Sequence, residues 1–522
     1  MARVEGLLQA QEQTFPDEWL KPTRQLNIVV AQTPSFHAVE SLFSHTDDDG
    51  GEGIGFKPPL GVLYVATYVQ KHSNHNVFAF DAQVERWDCE QLVDAILEKN
   101  PDVVGLSAWT DFWYGTYRTA ELLKQRKPDV HIVIGGPHIS IYPQETLTYS
   151  AADSVVLGDG EIPFMLLCNC IANGLKPNDI PGVHFKEYGV RDGCDKWHIQ
   201  KDQDILPFPN RYLLPVDKYT SVLGKANRVT TMITSRGCPY TCTYCKLNFQ
   251  KTLQRTADNV LKEFEEIEKL GISEVEVYDD TFTWQPKRVQ DICNGLIERG
   301  IKINWAIRDR VNGVREENLD LLRKAGCCRI HLGVESASEK TLKIVKKHIT
   351  VQQIETAVRL VKKYKFTTLN YFMIGLPDET REDVMQTINY AVKLDADFTE
   401  FNICIPYAGT EMYITALNEG KITRDFWREY AMKPVPSFVV PQIIEDHLTK
   451  QELIALRDLA IRKYYFRPKF IIRELLRLKS FGEFQRKGRM GVSLFRQSVL
   501  PVLFSVNKRW AWLGLLKRKT AA

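Results

Sequence analysis

No stretch of this 522-residue chain stays apolar for the roughly eighteen residues that a membrane helix needs. A membrane-spanning protein is therefore not expected. Cysteine is sparse, with 11 residues in all. The start, Met1-Ala-Arg-Val-Glu-Gly, has no basic segment followed by an apolar one. Both features argue against a secreted disulfide framework and for a reducing, cytoplasmic setting. Charge of one sign is lacking too. The 68 Lys and Arg against 65 Asp and Glu leave a formal +3, which provides no electrostatic footprint for nucleic acid. A hydrophobic content of 44% and a charged content of 25% are those of an ordinary globular protein. The length suggests roughly two to four domains.

What cysteine there is, is concentrated. Cys238, Cys242 and Cys245 form a Cys-x3-Cys-x2-Cys triplet just after the β-branched run Val229-Thr-Thr-Met-Ile-Thr234. Three thiolates on one loop suit an iron–sulfur cluster. A cubane has four irons, so three ligands leave one iron open, by the logic that separates open catalytic metal sites from closed structural ones. Structural zinc would need a fourth Cys or His. No His lies between Cys245 and His331, and Cys89, Cys168, Cys170, Cys194, Cys293, Cys327, Cys328 and Cys404 form no second motif.

From Leu26 to about Ala172, short apolar runs alternate with helical periods, which predicts a doubly wound parallel sheet. Ligands of such sheets bind beyond the carboxyl ends of the strands. The candidates there are Ser107 and Thr110, then Gly135, Gly136 and His138, then Gly158 and Glu161. Glycine lets backbone approach a ligand closely, and the hydroxyls and His138 suit a polar tail. The Gly-rich segment Ser41–Pro59 reads as a surface loop or a ligand cover. A Pro- and Gly-rich connector with minor β structure follows.

A second βα alternation runs from Val229 to about Pro406. Six units predict a partial barrel whose site lies at the C-terminal ends of its strands. The polar groups there are Asp279, Arg308 with Arg310, Glu335 with Ser336, and the turn at Gly375. The competing reading makes Asp279 and Glu335 caps of the following helices. Beyond Ile422 the chain turns helical, with a capping box at Thr449-Lys-Gln-Glu452. From Arg462 onward basic residues dominate, and Trp510 and Trp512 precede Lys517-Arg-Lys519. That tail suits a membrane surface or a lipid-like anionic substrate, or else a helical lid packed on the barrel.

The cysteine triplet, with Tyr244 just before its last member, resembles the radical S-adenosylmethionine superfamily. The loops before it, together with Lys57-Pro-Pro-Leu-Gly61, resemble the cobalamin-binding domain of the cobalamin-dependent members. The resemblance implies an α/β fold. Residues 1–24 would be an extension, 25–175 a Rossmann-like cobalamin domain, 176–228 a linker, 229–415 a partial (β/α)6 barrel, and 416–522 a helical region with a basic amphipathic tail. It implies that Cys238, Cys242 and Cys245 hold a 4Fe-4S cluster whose open iron chelates S-adenosylmethionine. Glu335 and Ser336 would contact the methionine or ribose, and Met373-Ile-Gly375 would support adenine. Many cobalamin domains place a His beneath cobalt where this chain has Gln83, so a histidine lower ligand is not expected.

The implied chemistry is methylation of an unactivated carbon. A deoxyadenosyl radical abstracts hydrogen, the methyl comes from methylcobalamin, and an external flavodoxin or ferredoxin supplies electrons. The arrangement is similar to the bacteriochlorophyll-pathway methyltransferases and to the ring-forming cyclase and hopanoid methylases. These imply an apolar substrate, a bacteriochlorophyllide-type tetrapyrrole first among them. The rivals are a cobalamin enzyme that closes a ring without methyl transfer and a non-catalytic cobalamin- or zinc-binding module. The tail would allow peripheral contact with the inner membrane.

Overall fold

The computed structural model describes residues 15–35, 55–193, 196–221, 223–224, 228–246, 251–436, 441–478 and 481–500. The first apolar runs form the strands β1 (Asn27–Gln32), β2 (Asn76–Asp81), β3 (Val103–Ser107), β4 (His131–Gly135), β5 (Ser154–Val156) and β6 (Val183–Phe185) of one sheet, in the order β2-β1-β3-β4-β5-β6. The first five are parallel. Helices cover both faces, so the central strands are nearly continuously buried. The strand order reverses beside β1. There the helices starting at Leu60 and Trp113 leave on opposite sides, and a crevice opens beyond the strand ends.

The last strand was not foreseen as part of this sheet. β6 lies in the expected linker and pairs antiparallel with β5. Three residues carry too little alternation to announce themselves. At the opposite edge of the sheet, Tyr219 from the same connector donates to Asp81 Oδ2 at 2.9 Å, and burial lifts the Asp81 carboxyl to about 6.

The second series gives β7 (Val229–Met232), the short pair β8 (Ser235–Arg236) and β9 (Leu253–Gln254), β10 (Glu274–Val277), β11 (Asn304–Arg310), β12 (Cys327–Glu335), β13 (Thr367–Ile374) and β14 (Phe398–Ile403). Six of them form a parallel sheet, β14-β13-β12-β11-β10-β7, with β7 and β14 as its edges. β8 and β9 clip the chain together on either side of the cysteine loop. Amphipathic helices wrap the outside. In Ala257–Lys269, Thr256 caps the Asn259 N–H, and Val260, Leu261, Phe264 and Ile267 are buried at helical spacing. This is the α/β architecture that the two alternating series predict.

Helix Lys450–Tyr465 begins at the expected capping box and packs over β14. Tyr465 Oη accepts from the Thr399 N–H at 3.0 Å and donates to the Thr399 carbonyl at 2.5 Å. The unpaired side of an edge strand is thereby covered. Helices Pro468–Leu476 and Phe481–Ser498 follow. Trp510, Trp512 and Lys517-Arg-Lys519 lie outside the described residues, as does most of the Ser41–Pro59 loop. No described helix is long and apolar enough to cross a membrane.

Candidate functional site

The cysteine loop leaves β7 at the C-terminal end of the barrel. Asp279, at the end of β10, holds the exit. It accepts from the Thr234 N–H, the Thr234 hydroxyl and the Ser235 hydroxyl, each at 2.6 Å. Asp279 therefore anchors the cluster loop and caps no helix. Cys238 and Cys242 are nearly buried, while Cys245 is exposed. Burial pushes the Cys238 thiol up, so its use as a metal ligand would require loss of that proton. Arg310 donates to Cys242 Sγ at 3.2 Å and lies 3.8 Å above the Tyr240 ring. The loop is further tied down by Thr243, whose N–H bonds the Val345 carbonyl and whose carbonyl accepts from Met412 N. Among the described residues no three His, Cys, Asp or Glu groups converge as a single ion would require.

Glu335 ends β12 with φ +68°, in the left-handed region that a β-carbon disfavours. The strained turn aims its carboxylate at the cysteine loop. Oε1 accepts from Lys347 Nζ at 2.6 Å and from Tyr244 Oη at 3.2 Å. The helix after it is capped by Ser338, so Glu335 caps no helix. Ser336 is buried, 3.4 Å from Glu379 Oε1 and 3.2 Å from Thr387 Oγ1. Glu379 in turn accepts the N–H groups of Gly375 and Leu376, and burial raises its carboxyl to about 7. Gly375 sits at φ +77°, where a Cβ would come within 2.7 Å of Leu453. Glu335, Tyr244 and the three cysteines therefore share one rim of the barrel. Ser336 and Gly375 meet through Glu379 just behind it.

Beyond the ends of β1, β3, β4 and β5 lies a cavity of about 440 Å³. Ser107, Gly135, Gly136, Gly158 and Glu161 line it, as the strand ends predict. Its floor is aliphatic and aromatic, from Val30, Leu106, Val133, Val156 and Phe164. A Cβ built on Gly61 would meet nothing within 4 Å, so this wall is open because it is glycine. Glu161 Oε2 is buried without a hydrogen-bond partner. A large ring with amide edges, as in cobalamin, fits an apolar floor, bare backbone and one waiting acceptor.

The far wall is barrel. Ser235, Arg236, Gly237 and Tyr278 line the same cavity. Arg236 Nη1 bonds Asp159 Oδ1 and Nη2 bonds Glu161 Oε1, both at 2.6 Å, and its guanidinium lies 5.3 Å from the Tyr64 ring centre. Burial penalises the Glu161 carboxylate, but Arg236 more than offsets this and holds its pKa below the usual range. Burial raises the pKa of the Asp159 carboxyl, and Arg236 only partly offsets this.

Thr110, His138 and Gln83 stand elsewhere. Thr110 Oγ1 bonds His138 Nδ1 at 3.2 Å, and the His138 ring stacks 4.2 Å from Trp113. Both side chains are buried behind the cavity wall, and burial drops the His138 pKa to about 3. Trp113 itself donates to the Ala431 carbonyl at 3.0 Å. Gln83 Nε2 donates to the Thr33 carbonyl at 3.2 Å. Arg308 lies two residues deeper in β11 than Arg310, inside the barrel. Sequence reasoning missed Arg236, Lys347 and Glu379. The first stands two residues before Cys238 and the last four after Gly375, both within motifs already singled out. Lys347 carries no local signal.

With this geometry in place, comparison with known proteins identifies both halves. Residues 55–167 match the B12 binding domain and residues 232–391 the Radical SAM superfamily. An uncharacterized methyltransferase of Pyrococcus horikoshii is 34% identical over 432 residues, 81% of this chain and 91% of the relative. The anaerobic magnesium-protoporphyrin IX monomethyl ester cyclase of Rubrivivax gelatinosus is 28% identical over 449 residues, 82% of this chain and 78% of that one. Among solved structures, the radical S-adenosylmethionine methyltransferase TsrM of Kitasatospora setae, with cobalamin and a 4Fe-4S cluster bound, superposes with a TM-score of 0.65. The match covers 90% of this chain and 99% of that chain at 17% identity.

Proposed function

Since the chain belongs to the radical S-adenosylmethionine superfamily, in the branch that carries a B12-binding domain, we propose that it methylates an unactivated carbon of a large apolar substrate of the tetrapyrrole class. Its cofactors are a 4Fe-4S cluster, S-adenosylmethionine and cobalamin. The observation that carries the reading is the shared cavity. The glycine loops of the first sheet and the residues just before Cys238 are walls of one space.

When bound, the cluster with S-adenosylmethionine supplies a hydrogen-abstracting radical, and cobalamin supplies a transferable methyl group. The protein's part is to hold and orient. Cys238, Cys242 and Cys245 would hold the cluster, with Arg310 donating to one of its sulfurs. Lys347 and Tyr244 fix the Glu335 carboxylate toward the methionine or ribose. Glu379 shapes the Gly375 turn for adenine. Ser107, Gly135, Gly136, Gly158 and Glu161 would hold cobalamin, and Arg236 keeps that loop against the cluster loop. Thr110 and His138 would support the cobalamin wall from behind. Gln83, whose amide donates to the Thr33 carbonyl, would offer the cobalamin no imidazole. No general base is required when the target carbon is sp3.

The cyclase likeness supports a second reading, ring closure without methyl transfer. One experiment separates them. Anaerobically reconstituted protein is incubated with S-adenosylmethionine, reductant and candidate tetrapyrroles, and products are read by mass. Methylation adds one methylene with formation of 5′-deoxyadenosine. An unmethylated cyclised product overturns the methyltransferase reading. Replacing all three cysteines with Ala should remove the iron and the 5′-deoxyadenosine together, and iron that persists would refute the cluster assignment.

A further inference from the structure

The lumen of the barrel is lined by charged side chains of both signs. β10 contributes Glu274 and Glu276 and β12 contributes Arg329, all buried. Arg329 reaches both acids, Glu274 Oε1 at 3.2 Å and Glu276 Oε1 at 3.0 Å. It also donates to His331 Nε2 at 2.9 Å, which requires that nitrogen to be unprotonated. Burial accordingly drives the His331 pKa well below its ordinary value. Lys57 stands 3.7 Å from Glu276 Oε1 and Arg308 3.6 Å from Glu276 Oε2. Of these three described cations, Arg329 alone lies within hydrogen-bonding distance of the two carboxylates, and Ser221 Oγ donates to Glu276 Oε1 at 2.8 Å. Lys57 is satisfied otherwise, donating to the Thr220 carbonyl at 2.8 Å. Arg308 rests its guanidinium 3.7 Å above the Tyr278 ring and keeps 31% of its side chain exposed. Glu400 stands on β14 with its carboxyl bonded by Asn402, and burial raises its pKa. Tyr278 lines the interdomain cavity, so Arg308 stands one ring away from it.

We propose that Arg308, backed by Tyr278, is the binding site for a carboxylate carried by the substrate. This rests on the radical S-adenosylmethionine reading above. A guanidinium is a planar fork of donors that matches a carboxylate, and stacking on an aromatic face leaves its edge free for such a partner. The apolar body of the substrate would extend from there toward the cavity. A substrate anchored by its acid group presents one region of its skeleton to the chemistry and no other.

The test is equilibrium dialysis with the reconstituted holoenzyme, using two acid–ester pairs: protoporphyrin IX with its dimethyl ester, and a long-chain fatty acid with its methyl ester. Wild type should hold the acid about ten- to a hundredfold tighter than the ester, the range of a charge-assisted hydrogen bond. Arg308→Met should erase that preference, and Arg308→Lys, which keeps the charge but not the fork, should retain part of it. S-adenosylmethionine affinity of each variant serves as the check on folding and should not change. A preference seen only with the fatty acid supports the anion site while counting against the tetrapyrrole reading. No preference with either pair, or one that survives Arg308→Met, overturns the anion site. If both variants instead lose S-adenosylmethionine affinity with intact circular dichroism, the carboxylate served is the cofactor's and the substrate assignment is overturned.

Discussion

The interdomain cavity and the barrel lumen meet at Tyr278 but are made of opposite materials. The cavity wall is glycine backbone and aliphatic side chain, and its charges close on themselves in the Arg236–Asp159–Glu161 cluster. The lumen is crowded with charged side chains, and the ionic contacts that Lys57 and Arg308 make with Glu276 are longer than hydrogen bonds. A wall of bare backbone grips a large ring by shape and by its peptide groups. A wall of charged side chains held by long ionic contacts can orient one polar group of a smaller or more variable ligand. The molecule thus separates a surface suited to a resident cofactor from one suited to a substrate that comes and goes.

The largest expected effect comes from opening the closed cluster. Arg236→Gln leaves Asp159 and Glu161 beside each other in a mostly buried site. Removing one partner of such a cluster costs about 3–5 kcal/mol, read as a lowered urea midpoint. Arg308→Gln should cost under about 1 kcal/mol, because that side chain is a third exposed and its ionic contact is long. Equal losses would show that the two chambers are not differently built.

Next come the glycines of the cavity. At Gly158, φ is +90° and a Cβ would fall 2.0 Å from the His198 carbonyl oxygen. Gly158→Ala must displace backbone and should lose about 2–3 kcal/mol. Gly61 lies in the helix Leu60–His72 with open space before it. Gly61→Ala should therefore gain up to about 1 kcal/mol of stability from helix propensity yet weaken cobalamin binding, since the methyl enters the cavity. If Gly61→Ala binds cobalamin as wild type does, this wall is not in contact with the cofactor.

Much of this was legible beforehand. Both βα series follow from apolar runs punctuated by helical periods, and three cysteines within eight residues announce themselves. What stayed hidden depends on pairing between distant segments. Arg236 acquires meaning only when Asp159 and Glu161 are brought across from another domain, 75 or more residues earlier. Lys347 is an ordinary lysine until the turn at Glu335 faces it. Asp279 reads as a helix cap from its neighbours, but tertiary structure spends its carboxylate on Thr234 and Ser235. His138 was a plausible loop ligand by sequence, and its stacking on Trp113 could not be read from spacing.

A smaller effect concerns protons. His138 is held neutral by burial, with its pKa dropped to about 3. The unfolded chain takes that proton near 6.5 and the folded chain refuses it until about 3, so this group's contribution is constant above 6.5 and falls as pH drops through that window. The slope is about 1.4 kcal/mol per pH unit for one such group. His331 in the lumen is lowered in the same direction, so both chambers contribute. His138→Gln should flatten the stability curve between pH 6.5 and 5 by about one proton while leaving the lumen's share in place. An unchanged slope would mean that His138 is protonated in the fold.

The smallest effect tests the cover on the barrel's edge. Tyr465 makes two hydrogen bonds to the backbone of Thr399, replacing the strand that β14 lacks on that side. Tyr465→Phe keeps the ring, which packs 5.0 Å from Phe470, and removes only the hydroxyl. The loss should be about 1–1.5 kcal/mol, the worth of a modest hydrogen bond plus a buried N–H left unpaired. The amide of Thr399 should then exchange with solvent faster than those of β12 at the centre of the sheet. A cover of this kind makes the C-terminal helices part of the barrel's stability. Deleting the chain after Leu478 should leave the Tyr465 contact and the unfolding midpoint nearly intact, while deleting from Lys450 should not. If both deletions unfold alike, the final helices carry the edge and Tyr465 is incidental.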